Sequence, residues 1–148
     1  MAVLRQMSAA LQRTLAVLSA VQIVQPEAPG KWSISEVMLH LADSELVWGY
    51  RLRMVLAHER PSLAGYDQDL WADRLRYRDA DPQEAVVRFS VLRRANLHLL
   101  DQASTSDLQR IGIHTERGEQ DVEDMIRLYA GHDLVHLRQL DRIRGSFA

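Results

Sequence analysis

Two histidines in the C-terminal part of the sequence have the spacing of a shared metal site. His132 and His136 lie four residues apart in the segment YAGHDLVHLRQL, which begins at position 129. In a helix, residues i and i+4 share one face with Cβ atoms about 5–6 Å apart, so both imidazoles can reach one ion. The pair alone is weak evidence, because six histidines scattered over 148 positions give about 0.2 such pairs by chance.

A third histidine strengthens this interpretation. His40 lies in the segment 32–45, where an amphipathic helix is expected to bury its inner face. Three neutral imidazoles from two facing helices, with one position left for water or substrate, form an open, catalytic type of metal site. The sequence therefore predicts one divalent metal ion at His40, His132 and His136. The same predicted face of the His40 helix also carries Glu36, Asp43, Ser44 and Arg51.

Two further residues are candidates for moving charge or protons in such a site. Arg51 shares the face of His40, although a long arginine side chain can also simply extend into solvent. His114 lies in the turn-rich segment 102–120, and two interpretations are open. It is either a surface-loop histidine or a residue at the mouth of the metal pocket that carries protons near neutral pH. The residues near enough in sequence to orient a ligand histidine are Asp43, Asp133 and Gln139.

Composition excludes several functional classes. The absence of cysteine excludes a disulfide scaffold, thiolate metal ligands and a cysteine nucleophile, so any thiol chemistry needs an external thiol. Eighteen basic and twenty acidic residues give a net charge of −2 without a basic stripe, so no nucleic-acid partner is expected. The length of 148 residues fits one domain spanning 1–148.

The N-terminal segment is expected to be a mature cytoplasmic helix. Residues 15–24 loosely resemble a signal peptide, but apolar residues recur at helical spacing from Leu4 through Met7, Leu11, Leu15, Leu18 and Val21. No run approaches the eighteen or more apolar residues that a membrane span requires, so no membrane partner is expected.

Hydrophobic periodicity and capping signals predict four long helices, over 3–24, 34–58, 82–101 and 122–144. Ser33 and Glu36 form a predicted capping box at the start of the second helix, and Asp81 and Asp121 are predicted N-caps. The third helix is expected to turn inward Val86, Phe89, Leu92, Asn96, Leu99 and Leu100, with His98 exposed.

The segment 59–81 between the second and third helices is expected to be a long crossover. It contains a short helix at 70–75, and Tyr66 and Trp71 are expected to pack the crossover down. No strand is expected, because no alternation of polar and apolar residues is long enough. The predicted fold class is all-α, a four-helix bundle with a long crossover between helices 2 and 3.

Several segments together resemble the DinB-like family, in particular its second subfamily, across nearly the whole chain. They are WSISEVMLHLADSE (32–45), GYDQD (65–69), RLRYR (74–78), LRRANL (92–97), HTERG (114–118) and GHDLVHLRQ (131–139). The resemblance implies a four-helix bundle, commonly a homodimer, in which His40, His132 and His136 bind zinc, nickel or a similar divalent ion. Despite the family's name, it implies no DNA binding.

The resemblance leaves two classes of function open. The family includes thiol-dependent transferases and isomerases that use bacterial low-molecular-weight thiols, and members with no known reaction. In the first class the chain is an enzyme whose metal activates such a thiol for an S-transfer reaction, or a water for hydrolysis. In the second it is a non-catalytic, stress-related metal- or small-molecule-binding module. Side chains of Glu36, Asp43 and Arg51 that point into a cavity would favour the enzyme.

Overall fold

Four long helices form a bundle, as the periodicity predicts. A computed structural model of the chain describes residues 1–147. The long helices are α1 (Ala2–Ala16), α3 (Ile34–Ala57), α5 (Pro82–Gln102) and α7 (Val122–Gly145). The short ones are α2 (Ala20–Val24), α4 (Gln68–Arg74) and α6 (Thr105–Leu108), with a 3-10 turn at Tyr77–Asp79. The capping box of Ser33 and Glu36 and the N-caps Asp81 and Asp121 are all formed.

Helices α3 and α5 run parallel to each other. Their side-chain pairs advance together along both helices, in the order Asp43–Arg88, Glu45–Arg93 and Arg53–Asn96. Helix α7 runs antiparallel to α3. His136 lies beside His40, whereas Tyr129, about two turns earlier in α7, stacks on Trp48, about two turns later in α3. Helix α1 is antiparallel to α5, with Arg5 paired to Asp101.

A parallel pair of consecutive long helices requires a long connection, and residues 58–81 provide it. The prediction of a crossover between the second and third long helices is confirmed, and its short helix begins two residues earlier than expected, after the N-cap Asp67. The rings of Tyr66 and Trp71 pack together with their centroids 4.4 Å apart. Because α3 and α5 run parallel, the crossover returns the chain to the end of the bundle from which α3 began.

A small sheet closes one end of the bundle, so the expectation of no strands is wrong. Strands β1 (Ser62–Leu63), β2 (Ile111–His114) and β3 (Gly118–Asp121) are ordered β1-β2-β3. Strand β2 pairs in parallel with β1 and antiparallel with β3. These strands have two to four residues, too few for a recognisable alternation, and are held by backbone pairing between distant segments. Gly118 ends the hairpin turn at φ 76°, a conformation that favours glycine.

The first predicted helix is in fact two helices, with a break after Ala16. Ser19 caps α2 by a capping box with Gln22, and this local hydrogen bonding competes with a continuous helix. The break changes the buried face, because Ile23 is buried whereas Val21 is 69% exposed. The prediction that Val21 continues the buried stripe of α1 is therefore wrong.

One buried arginine connects all four long helices. Arg93 of α5, which is 1% exposed, donates hydrogen bonds to Glu45 of α3 (3.0 Å) and Asp133 of α7 (2.6 and 3.1 Å). It also donates to the backbone carbonyl of Leu4 in α1 (2.9 Å). The predicted inner face of α5 missed Arg93 and included Leu92 and Leu99, which are only half-buried. Hydrophobic periodicity does not single out a charged residue for burial, and here two carboxylates offset the cost of burying the arginine.

Candidate metal centre

Three histidines from two helices converge at the α3–α7 interface. His40 comes from α3, and His132 and His136 lie one turn apart on α7. One ring nitrogen from each lies within 4.8 Å of the other two, and the Nε2 atoms of His40 and His132 are 3.2 Å apart. Nitrogen ligands on a tetrahedral zinc ion are separated by about 3.4 Å. The spacing is therefore close to what a shared ion requires.

The three imidazoles are neutral, as metal ligands must be. Burial, together with the neighbouring imidazoles of His136 and His132, lowers the pKa of His40 to about 3. Burial, with His136 and Arg93 nearby, likewise lowers the pKa of His132 to about 3. Burial also lowers the pKa of His136, against the opposing effect of its hydrogen bond to Gln139. Each ring thus keeps an unprotonated nitrogen that can accept a metal ion.

Gln139 is hydrogen-bonded to one of the three candidate ligand histidines. Its side-chain oxygen lies 2.8 Å from Nδ1 of His136 and accepts a hydrogen bond from it, so Nδ1 carries the proton. The unprotonated Nε2 is then the nitrogen that can bind a metal ion. Asp133 does not act in this way because it pairs with Arg93, and Asp43 accepts from Tyr77 and Arg88 instead. Within residues 1–147, Nδ1 of His40 and of His132 is buried without a hydrogen-bond partner. Gln139 is therefore the only one of the three suggested residues that bonds to a ring nitrogen of these histidines.

Aromatic rings pack against the histidines. The ring of Trp32 lies 5.0 Å from that of His40, and Tyr129 lies 5.5 Å from His132, measured between centroids. Tyr129 is itself fixed by stacking on Trp48, with 4.4 Å between centroids, and by donating to the carbonyl of Ser44. The rotamers of the histidines are thereby restricted by neighbours that cannot compete as ligands.

A cavity of about 230 Å³ opens beside this group. Its walls come from α3, the crossover, the β2–β3 hairpin and α7. The lining residues are His40, Ser44, Arg51, Gly65, Tyr66, Gln68, His114, Glu116, Arg117, Leu128, Tyr129 and His132. A small molecule in this space would reach two of the three histidines.

Both residues suggested by the sequence for charge or proton transfer line the cavity. Arg51 is half-buried and donates to the carbonyl of Ala64 at the start of the crossover. His114 is only 2% exposed, so its interpretation as a surface-loop histidine is wrong. Burial and the charges of Arg117 and Arg51 lower the pKa of His114, which favours a neutral ring. Their roles stay predictions.

The other polar residues on the predicted His40 face are used structurally. Glu36 completes the capping box and pairs with Arg78, and Asp43 is occupied by Tyr77 and Arg88. Ser44 is different, because its hydroxyl lies 3.3 Å from Nε2 of His40 and 2.7 Å from the Tyr66 hydroxyl. Of the three residues chosen to discriminate enzyme from binding module, Arg51 alone lines the cavity.

Sequence reasoning missed two residues of this site. Tyr66 was expected only to pack the crossover, although its hydroxyl bonds to Ser44 and faces the cavity. Arg117 was not singled out at all. Both lie in connections whose path depends on pairing between β1 and β2, segments about fifty residues apart. The sole sequence signal was the position of Arg117 three residues after His114.

No helix within residues 1–147 is both long enough and apolar enough to cross a membrane.

The chain resembles characterised folds along nearly its whole length. YfiT of Bacillus subtilis is 26% identical over 147 residues, which cover 97% of this chain and 83% of that protein. The solved structure of YfiT, described as a probable metal-dependent hydrolase with an unusual four-helix bundle topology, matches with a TM-score of 0.85 over 97% of this chain and 84% of that chain. A protein of Oceanobacillus iheyensis, named Putative metal-dependent hydrolase OB0782, is 28% identical over 130 residues, 88% of this chain and 75% of that protein.

A second solved structure supports the fold alone. TT2238, described as a four-helix bundle protein, shares 22% identity and a TM-score of 0.64 over 95% of this chain and 94% of its own. The sequence model of the DinB superfamily matches residues 4–140. The match spans α1 to the last turns of α7 and includes all three histidines. The chain therefore belongs to the DinB superfamily.

Proposed function

We propose that this chain is a metal-dependent enzyme that binds one divalent ion, zinc or nickel, through His40, His132 and His136. The observation that carries the proposal is the convergence of three neutral imidazoles, from two helices, beside a cavity that two of them line. Three histidine ligands leave a coordination position open, which is typical of catalytic rather than structural sites. The names of the relatives favour hydrolysis as the reaction.

The ion would supply Lewis acidity, lowering the pKa of a bound water or thiol and polarising a substrate carbonyl. The chain's own residues would hold the substrate and move protons. The hydroxyls of Ser44 and Tyr66, hydrogen-bonded to each other at 2.7 Å, both line the cavity beside His40 and would carry protons there. Burial raises the pKa of Tyr66, so the hydrogen-bonded pair of Ser44 and Tyr66 would donate a proton to the substrate rather than act as an anionic base.

The reacting group can be a water or an external thiol, and the choice separates a hydrolase from an S-transferase. The thiol version rests on the family resemblance and on the cysteine-free sequence, which leaves the open position to a thiol from outside. Addition of a low-molecular-weight thiol to cobalt-substituted protein tests it. A thiolate-to-cobalt absorption band that saturates with thiol supports the S-transferase, and an unchanged spectrum supports the hydrolase.

Metal content is the first test of the proposal. Elemental analysis of protein purified without a histidine tag is expected to give about one equivalent of zinc or nickel. The substitution His40→Gln should remove the metal, whereas His98→Gln, at an exposed histidine of α5, should leave it in place. Wild-type protein that binds no metal even after reconstitution would contradict the proposal and favour the non-catalytic binding module. The expected homodimer is tested in the same samples by light scattering.

A further inference from the structure

The cavity beside the histidines is lined by residues from about three turns of α3. His40, Ser44 and Arg51 all contribute to its wall, and eleven residues separate the first from the last. At a rise of 1.5 Å per residue, their Cα atoms are about 16 Å apart along the helix axis. The end near Arg51 is completed by the β2–β3 hairpin, which contributes His114, Glu116 and Arg117. The cavity therefore has a histidine end and a second end with different chemistry.

The second end carries two arginines, neither of which forms a salt bridge within residues 1–147. Arg51 donates to a backbone carbonyl, and Arg117 donates to the side-chain oxygen of Gln120 at 3.3 Å, so neither is bonded to a carboxylate within the described part of the chain. Both arginines line the same cavity and repel each other electrostatically. Burial and then the charge of Arg117 lower the pKa of Arg51, whereas the charge of Glu116 raises it. An anion between them would remove this repulsion.

His114 adds an unused hydrogen-bond donor to the same end. Its Nδ1 accepts the backbone N–H of Glu116 at 3.1 Å, so the proton of the neutral ring is on Nε2. This Nε2 is buried and has no partner among residues 1–147. Leaving a buried donor unpaired is unfavourable, so a ligand that accepts from it is favoured.

One carboxylate opposes an anionic ligand. Glu116 lines the same end of the cavity, and its carboxylate packs against Gly65, where an added Cβ would lie 2.6 Å from Oε1. Two arginines against one glutamate leave a net charge of +1 on the wall. This net positive charge still favours an anion. Removing the charge of Glu116 should strengthen anion binding, whereas removing that of either arginine should weaken it.

We propose that this end of the cavity binds an oxyanion group of the substrate, a carboxylate or a phosphate, through Arg51, Arg117 and His114. The planar fork of a guanidinium group matches both kinds of oxyanion. The volume of about 230 Å³ restricts the ligand to a small molecule. The inference rests on the proposed function in taking the other end of this molecule to react at the histidines.

Binding to metal-free protein tests the anion site without the metal. Succinate, inorganic phosphate and the uncharged succinamide are titrated into chelator-treated protein and followed by calorimetry or by NMR of the arginine side chains. Saturable binding of succinate or phosphate is expected, with no binding of succinamide. The anion that binds more tightly identifies the carboxylate or the phosphate as the group recognised.

Variants then locate the site. Arg51→Gln and Arg117→Gln should each weaken anion binding about tenfold, the loss expected for one charge-assisted hydrogen bond. Glu116→Gln should strengthen it, and Arg13→Gln, at an exposed arginine of α1, should leave it unchanged. A merely structural role of these side chains would not produce effects of opposite sign.

The inference is overturned by any of three results. These are no saturable anion binding to wild-type protein, equal binding of succinamide, or equal weakening by Arg13→Gln. Because no metal is present, the result is independent of the metal analysis. Anion binding without metal binding would contradict the proposed function and support the anion site. Metal binding without anion binding would contradict the anion site alone.

Discussion

At the scale of single residues, the histidines show how the fold would prepare the proposed metal site. An imidazole free in water has a pKa near 6.5 and must lose a proton before it can bind a metal ion. Burial has already lowered the pKa of His40 and of His132 to about 3 in the folded chain. Protons therefore compete little with a metal ion down to mildly acidic pH. Keeping the rings neutral in the folded chain lowers its free energy of unfolding once the unfolded chain can be protonated.

The stability of the metal-free protein should therefore depend on pH. Between pH 6.5 and about 3, the unfolded chain binds protons at His40 and His132 that the folded chain does not bind. The free energy of unfolding should therefore fall as pH falls below 6.5, by about 1.4 kcal/mol per pH unit for each such histidine. Urea unfolding in the presence of a chelator, at a series of pH values, measures the slope.

A matched variant isolates the contribution of the histidines. Burial raises the pKa of Glu45 and Asp133, which gives a contribution of opposite sign in part of the same range. The difference between wild type and His40→Gln cancels that contribution. If the two proteins lose stability in parallel from pH 6.5 to 4, the pKa of His40 in the folded state is not lowered.

Gln139 provides a second prediction at this scale. Its side-chain oxygen bonds to Nδ1 of His136, one of the three proposed ligands. Gln139→Ala should lower metal affinity about tenfold to a hundredfold, the usual effect of removing a residue that orients a ligand. Competition with a coloured chelator measures the affinity. Gln12→Ala, at an exposed glutamine of α1, is the control, and equal affinities of the two variants would contradict the role given to Gln139.

At the scale of helices, Arg93 determines how the bundle is held together beneath the site. Its guanidinium group bonds to α1, α3 and α7, and Asp133 lies directly after His132 in α7. Asn96 extends the network by donating to Glu45 at 2.8 Å. The network therefore fixes α7 against α3 next to the histidines, and displacing it should also displace them.

Replacement of Arg93 should destabilise the protein strongly. Arg93→Leu leaves Glu45 and Asp133 buried without a cation, which typically costs about 3–5 kcal/mol. The variant carrying Arg93→Leu with Glu45→Gln and Asp133→Asn removes the unpaired charges and should recover part of this loss. Chemical unfolding of both variants gives the two values. Equal stabilities would show that lost packing, and not unpaired charge, causes the effect.

The elements that the sequence predicts well are those with local signals. Helices α3, α5 and α7 carry their own caps and periodicity, and their predicted boundaries agree with the structure within about one residue. The break in the first helix was missed because the capping box of Ser19 competes locally with a periodic stripe. The sheet was missed because β1 and β2 are short and stabilised by each other across the chain.

At the scale of the whole molecule, the same distinction applies to the site. The histidine triad could be predicted because His132 and His136 share a helix face and His40 stands out in a second helix. The cavity could not, because its second end is formed where the crossover meets the β2–β3 hairpin. Parallel packing of α3 and α5 forces the chain through that crossover, and the sheet fixes its start, with Ile113 donating to the carbonyl of Pro61 at 2.8 Å.

The whole molecule should fold without its metal and gain stability from it. Two clusters of buried hydrophobic residues fill the bundle on either side of the site, so the core does not depend on an ion. A ligand that binds only the folded state adds about 2.7 kcal/mol at a hundred times its Kd. Chelation should therefore lower the melting temperature while the helical circular dichroism is retained, and added zinc or nickel should restore it. His40→Gln should melt at one temperature with or without metal. Loss of helical signal on chelation would instead make the metal a structural requirement, because α3 and α7 would then need the ion to stay together.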